Sequence, residues 1–241
     1  MAEAPKLPKL DLPSVDCTLY PRGFGFPVYA IAPSRPDIAY TTGRGLLAQH
    51  VVSSGKQHWS AWTRVLRYSQ ITKHRWIVYY CLKSLELIGY VNVDYVYAGD
   101  LHMSCSTAGW TFMSAGGRVA WSSRKQPITS LSGTGSEYVA AASTAQDLIW
   151  IQGFLSELGF IEIGPTTLFT DNQSSMTLAK NPGSHKSTEY IRVKYYVIRG
   201  VVTSKGVELK SVPTGEQVAG VLTKPLGRLK FPIFVSGMGM Y

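Results

Sequence analysis

The pattern of apolar and polar positions predicts a group of strands near the middle of the chain. Residues 85–97 are rich in β-branched and aromatic side chains, which is typical of a β-strand. Two further strand-like runs, residues 109–115 and 118–123, flank the pair Gly116 and Gly117 and predict a hairpin. We therefore expect the domain to open with three antiparallel strands.

Helical periodicity follows these strands. Residues 136–158 carry an apolar stripe and end before Gly159, which predicts a long helix. Residues 190–202 fit either a helix or a strand. The alternation of strands and helices predicts an α/β fold with a sheet of mixed direction. The remaining predicted elements are a strand at 166–171, a short helix at 173–180, a strand at 207–212 and a final helix at 215–223.

The two ends of the chain differ in composition from its middle. Residues 1–18 are rich in proline and lysine and are expected to form a disordered leader. Residues 19–84 hold two predicted helices, at 42–53 and 57–72. The tail, residues 229–241, is apolar and short, and it fits a packed strand or an end without a role.

One face of the second predicted helix is basic. Arg64, Arg67 and Lys73 lie opposite its apolar positions. Such a face is typical of contact with a nucleic-acid backbone, and it is equally typical of the solvated side of a packed helix.

Charge and cysteine content narrow the function classes. The formal net charge is +9, which favours polyanionic partners such as nucleic acid. Three widely spaced cysteines without a C-x-x-C pair argue against a zinc site and against a disulfide framework. No secretory signal and no apolar run long enough to span a bilayer are present, so we expect no membrane and an intracellular location, cytoplasmic or nuclear.

Three acidic residues stand at places that suggest a metal site. Asp94 lies inside the first strand, Glu137 in the first turn of the long helix and Asp171 at the end of the fourth strand. If these strands are neighbours, the three carboxylates converge at one edge and offer the oxygen ligands that Mg²⁺ prefers. Each also has an ordinary explanation: the helix dipole favours Glu137, and Asp171 suits a turn before a helix. Asp94 is the hardest to explain without a cation.

A set of motifs in fixed order points to a known family. The chain resembles the C-terminal part of the Pol polyproteins of copia-type LTR retrotransposons, namely an RNase H domain that follows a remnant of the reverse transcriptase thumb or connection. The motifs that carry this resemblance are V-D-Y-V-Y-A-G-D at 93–100, S-T-A-G-W at 106–110, V-A-W-S-S-R-K-Q at 119–126, E-Y at 137–138, D-N-Q-S at 171–174 and L-T-K-P-L at 222–226.

The resemblance implies both a fold and an activity. It implies an RNase H-like fold at residues 85–228, with a mixed five-stranded sheet and flanking helices, preceded by a small helical segment at 19–84. It implies cleavage of the RNA strand of RNA–DNA hybrids with Mg²⁺, or with Mn²⁺ in its place. By resemblance, the catalytic and metal-binding residues are Asp94, Glu137 and Asp171, and the nucleic-acid contacts include Asn172, Gln173 and Ser174.

The chain departs from the family pattern at sites that matter for catalysis. The fourth acid of the family is Gly220 here, and the second aspartate of the strand motif is Val96. These departures predict an endoribonuclease with reduced activity. The alternatives are a catalytically inactive nucleic-acid-binding relic and an open reading frame without a selected role.

Overall fold

A five-stranded sheet organises the domain. The computed structural model describes residues 23–25, 28–29, 33–42, 47–51, 54–80, 85–95, 105–127, 132–160, 164–173, 176, 198, 200 and 206–241. Its strands are β1 (Ile88–Asp94), β2 (Thr107–Ser114), β3 (Gly117–Lys125), β4 (Thr166–Thr170) and β5 (Val207–Ser211). Their spatial order is β3-β2-β1-β4-β5. The first three strands pair antiparallel, whereas β4 runs parallel to β1 and β5 parallel to β4. This arrangement confirms the predicted RNase H-like fold.

The hairpin between β2 and β3 turns one residue earlier than predicted. Ala115 and Gly116 have φ angles of 51° and 81°, and Gly117 is already the first residue of β3. Two successive positive φ angles match the right-handed twist of the flanking strands. The hairpin itself is therefore confirmed, with Ala115-Gly116 as its turn.

Four α-helices have both of their ends within the described part of the chain. They are α1 (Ala39–Thr42), α2 (Lys56–Ile71), α3 (Gly133–Glu157) and α4 (Lys230–Gly237). The helix predicted at 57–72 is confirmed as α2. Of the helix predicted at 42–53, the described residues give only Thr42, the last residue of α1, and a 3-10 turn, Ala48–His50.

The long helix α3 covers one face of the sheet. It begins three residues earlier than predicted because the Ser132 hydroxyl accepts a hydrogen bond from the Gly135 N–H at 3.1 Å and caps it. The core beneath it is fully buried and combines strand and helix side chains. Its members include Val91, Phe112, Ala141, Ala145, Leu148 and Leu168.

The opposite face carries a 3-10 helix, Val218–Leu222, which we call the Gly220 segment. The α-helix predicted at 215–223 is wrong, because Pro213, Gly215 and Pro225 crowd this stretch with helix breakers. The Gly220 segment lies close to the sheet at Gly109, where a Cβ atom would be 2.6 Å from the Leu222 Cβ. Only glycine permits this approach.

The tail is a packed element, and it is helical rather than extended. Helix α4 buries Phe231, Phe234 and Val235 in a cluster with the Gly220 segment. After α4, Met240 forms an antiparallel bridge with Ile77. The tail therefore joins the region predicted as the thumb remnant to the sheet.

Several predictions fall on parts of the chain outside the described residues. They are the leader at 1–18 and most of the elements at 173–180 and 190–202. Within the described residues, no helix combines the length and the apolar character needed to cross a bilayer.

A buried arginine on β3 gives a first test of the packing. Arg118 is fully buried; its Nε donates to the Met238 carbonyl at 3.3 Å, and within the described residues its Nη1 and Nη2 have no partner. Burial lowers its pKa to about 9. Arg118→Met is therefore expected to raise the free energy of unfolding by about 1–3 kcal/mol. Urea denaturation measures this, with the half-exposed Arg124→Met as the control, and a loss of stability in Arg118→Met would contradict it.

Candidate acidic site at the sheet edge

The carboxyl ends of β1 and β4 form the edge where the predicted acids lie. The two strands pair in parallel as far as Tyr90 and Phe169, whose rings stack at 5.1 Å. Beyond that pair, the Gln217 side chain donates to the Val91 carbonyl at 3.0 Å, and to the Phe169 carbonyl at 3.5 Å. The strand ends are thus bridged by a side chain, and Asp171 directly follows the last residue of β4.

Glu137 is held at this edge by the start of α3. The Gln126 amide donates to the Ser136 carbonyl at 2.8 Å, and the Ser106 and Ser136 hydroxyl oxygens are 3.3 Å apart. These contacts tie the helix to the ends of β2 and β3. Glu137 stands in the second turn of α3, one turn further in than predicted.

The environment of Glu137 disfavours its charge. The residue is only 8% exposed, and its Oε2 has no hydrogen-bond partner within the described residues. Burial, and next the charge of Asp171, raise its pKa to about 8. A hydrogen bond from the Val93 N–H and the charge of Lys224 oppose this shift. The helix dipole, which would favour a charged Glu137, does not dominate here.

Asp94 occupies a different position from the one expected. It is the last residue of β1 and is half-buried, rather than buried within the strand. Burial raises the pKa of Tyr40 on α1, and the charge of Asp94 adds to that shift. The charge of Asp171 therefore acts on Glu137, whereas the charge of Asp94 acts on Tyr40.

Gly220, at the position of the family's fourth acid, lies beside the side-chain amide of Asn92. A Cβ atom on Gly220 would lie 3.9 Å from the Asn92 Nδ2, 3.6 Å from the Phe234 ring and 4.0 Å from the Lys224 Cε. The Asn92 amide donates to the Thr223 hydroxyl at 2.7 Å. Glu216 does not share a helical face with Gly220, because it is exposed in the turn before the Gly220 segment.

The side chains at this edge can be compared with the ligands that a metal ion requires. Across the described residues, no three acidic, histidine or cysteine side chains form a group able to hold a metal ion. The buried Oε2 of Glu137, which has no partner within the described residues, does fit one divalent cation once the carboxyl group is deprotonated, because a cation would then offset the charges of Glu137 and Asp171. Sequence reasoning missed Asn92 and Lys224. The one available signal was Asn92, a polar residue that lies between two valines in a strand.

Four of the six expected nucleic-acid contacts are exposed. Arg64 and Arg67 are exposed on α2, and Lys73 is exposed in the turn that follows it. Asn172 is half-buried and Gln173 exposed, directly after Asp171, whereas Ser174 lies outside the described residues. Trp76, which sequence reasoning missed, is 62% exposed three residues after Lys73.

Comparison with known proteins finds relatives among the proteins of transposons. No protein-family model matches the chain. It is 34% identical over 224 residues to a retrovirus-related Pol polyprotein from transposon TNT 1-94 of Nicotiana tabacum, covering 92% of this chain and 16% of that protein. It is 35% identical over 237 residues to the Pol polyprotein from transposon RE2 of Arabidopsis thaliana, covering 97% of this chain and again 16% of the relative.

Among solved structures, the chain is similar to LC11-RNase H1, which was isolated from compost by a metagenomic approach. The identity is 15%, the TM-score is 0.44, and the match covers 58% of this chain and 93% of that one. The chain spans about one sixth of the length of the transposon relatives that it matches. Over that section, the chain is homologous to copia-type retrotransposon Pol polyproteins, and its five-stranded sheet has the RNase H-like fold.

Proposed function

We propose that the chain binds RNA–DNA hybrids and cleaves their RNA strand weakly, with one divalent cation held by Glu137 and Asp171. The observation that carries this proposal is the buried Glu137 carboxyl group, whose Oε2 lacks a partner beside Asp171. An unpartnered carboxyl oxygen next to a second acid is costly to maintain for stability alone.

The two acids would hold Mg²⁺, or Mn²⁺ in its place. A divalent cation would supply a Lewis acid that polarises a phosphodiester. Glu137 accepts the Val93 N–H, which fixes its carboxyl group against the backbone of β1. Because the pKa of Glu137 is about 8, the cation competes with a proton, and its affinity rises with pH up to about that value.

We predict weak activity because the site holds few acidic side chains. Gly220 contributes no carboxylate, and Asp94 is not grouped with the other two acids. The same observation favours a second candidate, a domain that binds hybrids without cleaving them. Measured cleavage separates the two candidates.

Binding to nucleic acid is proposed for the basic end of α2. Arg64 and Arg67 are three residues apart on a helix, so their side chains lie on one face, and both are exposed. Lys73 and Trp76 follow within nine residues and are also exposed. Cations beside an exposed aromatic ring suit a sugar-phosphate backbone with stacked bases.

Cleavage is tested with a labelled RNA–DNA hybrid in Mg²⁺ and in Mn²⁺. We expect slow cleavage of the RNA strand by the wild type and a loss of at least about tenfold in Asp171→Asn. Glu157→Gln, at the exposed end of α3, is the matched control and should cleave like the wild type. No cleavage by the folded wild type in either metal would leave the binding-only candidate.

Binding is tested by fluorescence anisotropy at increasing salt. Three phosphate contacts predict a loss of affinity of about fortyfold between about 50 mM and about 200 mM salt. The variant with Arg64, Arg67 and Lys73 all replaced by glutamine should lose most of that dependence. Arg228→Gln, an exposed cation elsewhere, is the control. Equal binding by the triple variant would contradict this assignment.

A further inference from the structure

The register of two neighbouring strands identifies the position that faces the acid pair. Ile88, Gly89 and Tyr90 of β1 pair with Thr167, Leu168 and Phe169 of β4. Continuing this parallel register by two residues places Asn92 level with Asp171. Asp94 lies two residues further along β1, roughly 6.6 Å beyond Asn92. Asn92 is therefore the residue of β1 level with Asp171, two residues beyond the last pair that the two strands form.

Glu137, on helix α3, reaches β1 at nearly the same point along the strand as Asn92. Its carboxyl group accepts a hydrogen bond from the N–H of Val93, the residue directly after Asn92. Its Oε2 is buried without a partner, and the groups whose charges influence it are Asp171 and Lys224. Glu137 thus lies against the backbone of β1 at Val93, one residue past Asn92.

The Gly220 segment and the residue after it, Thr223, pack against the side chain of Asn92. Asn92 is 2% exposed, and its amide donates to the Thr223 hydroxyl, which in turn donates to the Gly220 carbonyl at 3.2 Å. The place of a side chain at position 220 is 3.9 Å from the Asn92 Nδ2 and 4.0 Å from the Lys224 Cε. The Asn92 side chain therefore meets the Gly220 segment, and Lys224, which lies beside position 220, also acts on the charge of Glu137.

We propose that Asn92, and not Asp94, occupies the third position of the acid site, and that its neutral amide limits the affinity of the site for divalent cations. The inference rests on the proposed function, since it concerns the cation that Glu137 and Asp171 would hold. It predicts that a carboxylate at position 92 strengthens cation binding, whereas removing the charge of Asp94 has little effect.

The fold can accept a carboxylate at either of two places. In Asn92→Asp, the Thr223 hydroxyl can turn and donate to the new carboxylate, so the contact with the Gly220 segment is kept. In Gly220→Asp, the added Cβ meets its neighbours at ordinary van der Waals distances of 3.6–4.0 Å. The two variants approach the same point from opposite sides.

The test is a calorimetric titration of Mn²⁺ into the folded chain without nucleic acid. Asn92→Asp and Gly220→Asp are each expected to bind Mn²⁺ at least about tenfold more tightly than the wild type, because each adds a charge next to the cation. Asp94→Asn is expected to stay within about twofold of the wild type. Thermal melting of each variant confirms that it is folded.

The outcomes separate the inference from the proposed function. Loss of Mn²⁺ binding in Asp94→Asn overturns the inference, as does unchanged affinity in both Asn92→Asp and Gly220→Asp. If the wild type binds no Mn²⁺ but Asn92→Asp does, and Glu137→Gln in that background abolishes binding, the inference stands and the proposed metal dependence of the wild type fails.

Discussion

Glu137→Gln is expected to remove most of the loss of stability that the wild-type domain shows as the pH rises from about 5 to about 9. In the folded wild type the pKa of Glu137 is about 8, against an ordinary value of 4.5. The folded state therefore holds this proton more tightly than the unfolded state. Stability is greatest below the ordinary pKa, and it falls as the pH rises towards the folded pKa.

The size of this effect follows from the pKa shift. One pKa unit corresponds to about 1.4 kcal/mol, so the wild type is expected to lose about 3–5 kcal/mol across this range. At about pH 9, Glu137→Gln should exceed the wild type in free energy of unfolding by a similar amount, whereas near pH 5 the two should agree. A neutral amide cannot ionise, and it keeps the shape of the side chain.

Urea denaturation in the presence of a chelator measures this pH dependence. Glu157→Gln on the same helix is the control and should follow the wild-type pH profile, because Glu157 is exposed. Parallel pH profiles for the wild type and Glu137→Gln would show that Glu137 is not the buried, proton-binding group described here.

Asp37→Ala is expected to lower the free energy of unfolding by about 3–5 kcal/mol. Asp37 is 3% exposed and receives two hydrogen bonds from Arg35, Nε to Oδ1 at 2.9 Å and Nη2 to Oδ2 at 2.7 Å. The Tyr68 hydroxyl donates to the same carboxylate at 2.8 Å, and burial and then Asp37 raise the pKa of Tyr68. Without Asp37, the buried Arg35 charge lacks its partner.

A surface ion pair provides the matched control for Asp37. Arg124 and Asp147 are 3.3 Å apart, with side chains 43% and 37% exposed. Asp147→Ala is therefore expected to cost less than about 1 kcal/mol. Replacing both members of the buried pair, as in Arg35→Met with Asp37→Leu, should recover most of the loss because no charge is left buried. A loss in Asp37→Ala no larger than in Asp147→Ala would contradict this account.

The alternation of strands and helices was readable from the sequence, whereas the neighbourhood of the first and fourth strands was only assumed. The β-branched runs predicted β1 and the hairpin, and parallel strands bring residues at their carboxyl ends to one edge. That rule placed Asp171 correctly at the edge, and the long helix brought Glu137 to it. The local sequence pattern was sufficient to predict that Asp171 and Glu137 lie at this edge.

Asp94 shows what the local pattern leaves open. Asn92 and Asp94 are two residues apart and lie on the same face of β1, so the strand pattern does not distinguish between them. The distinction comes from the register against β4 and from the Gly220 segment, which is far away in the sequence. The Gly220 segment itself was predicted as an α-helix, although Pro213, Gly215 and Pro225 disfavour a regular helix in this stretch.

The most direct test of the central claim is the binding of Mn²⁺ to the wild type and to Glu137→Gln at about pH 9, measured by calorimetry without nucleic acid. We expect one ion per wild-type chain, no detectable binding in Glu137→Gln, and unchanged binding in Glu157→Gln. Equal binding by the wild type and Glu137→Gln, or none by the folded wild type, would contradict a cation site at Glu137 and Asp171.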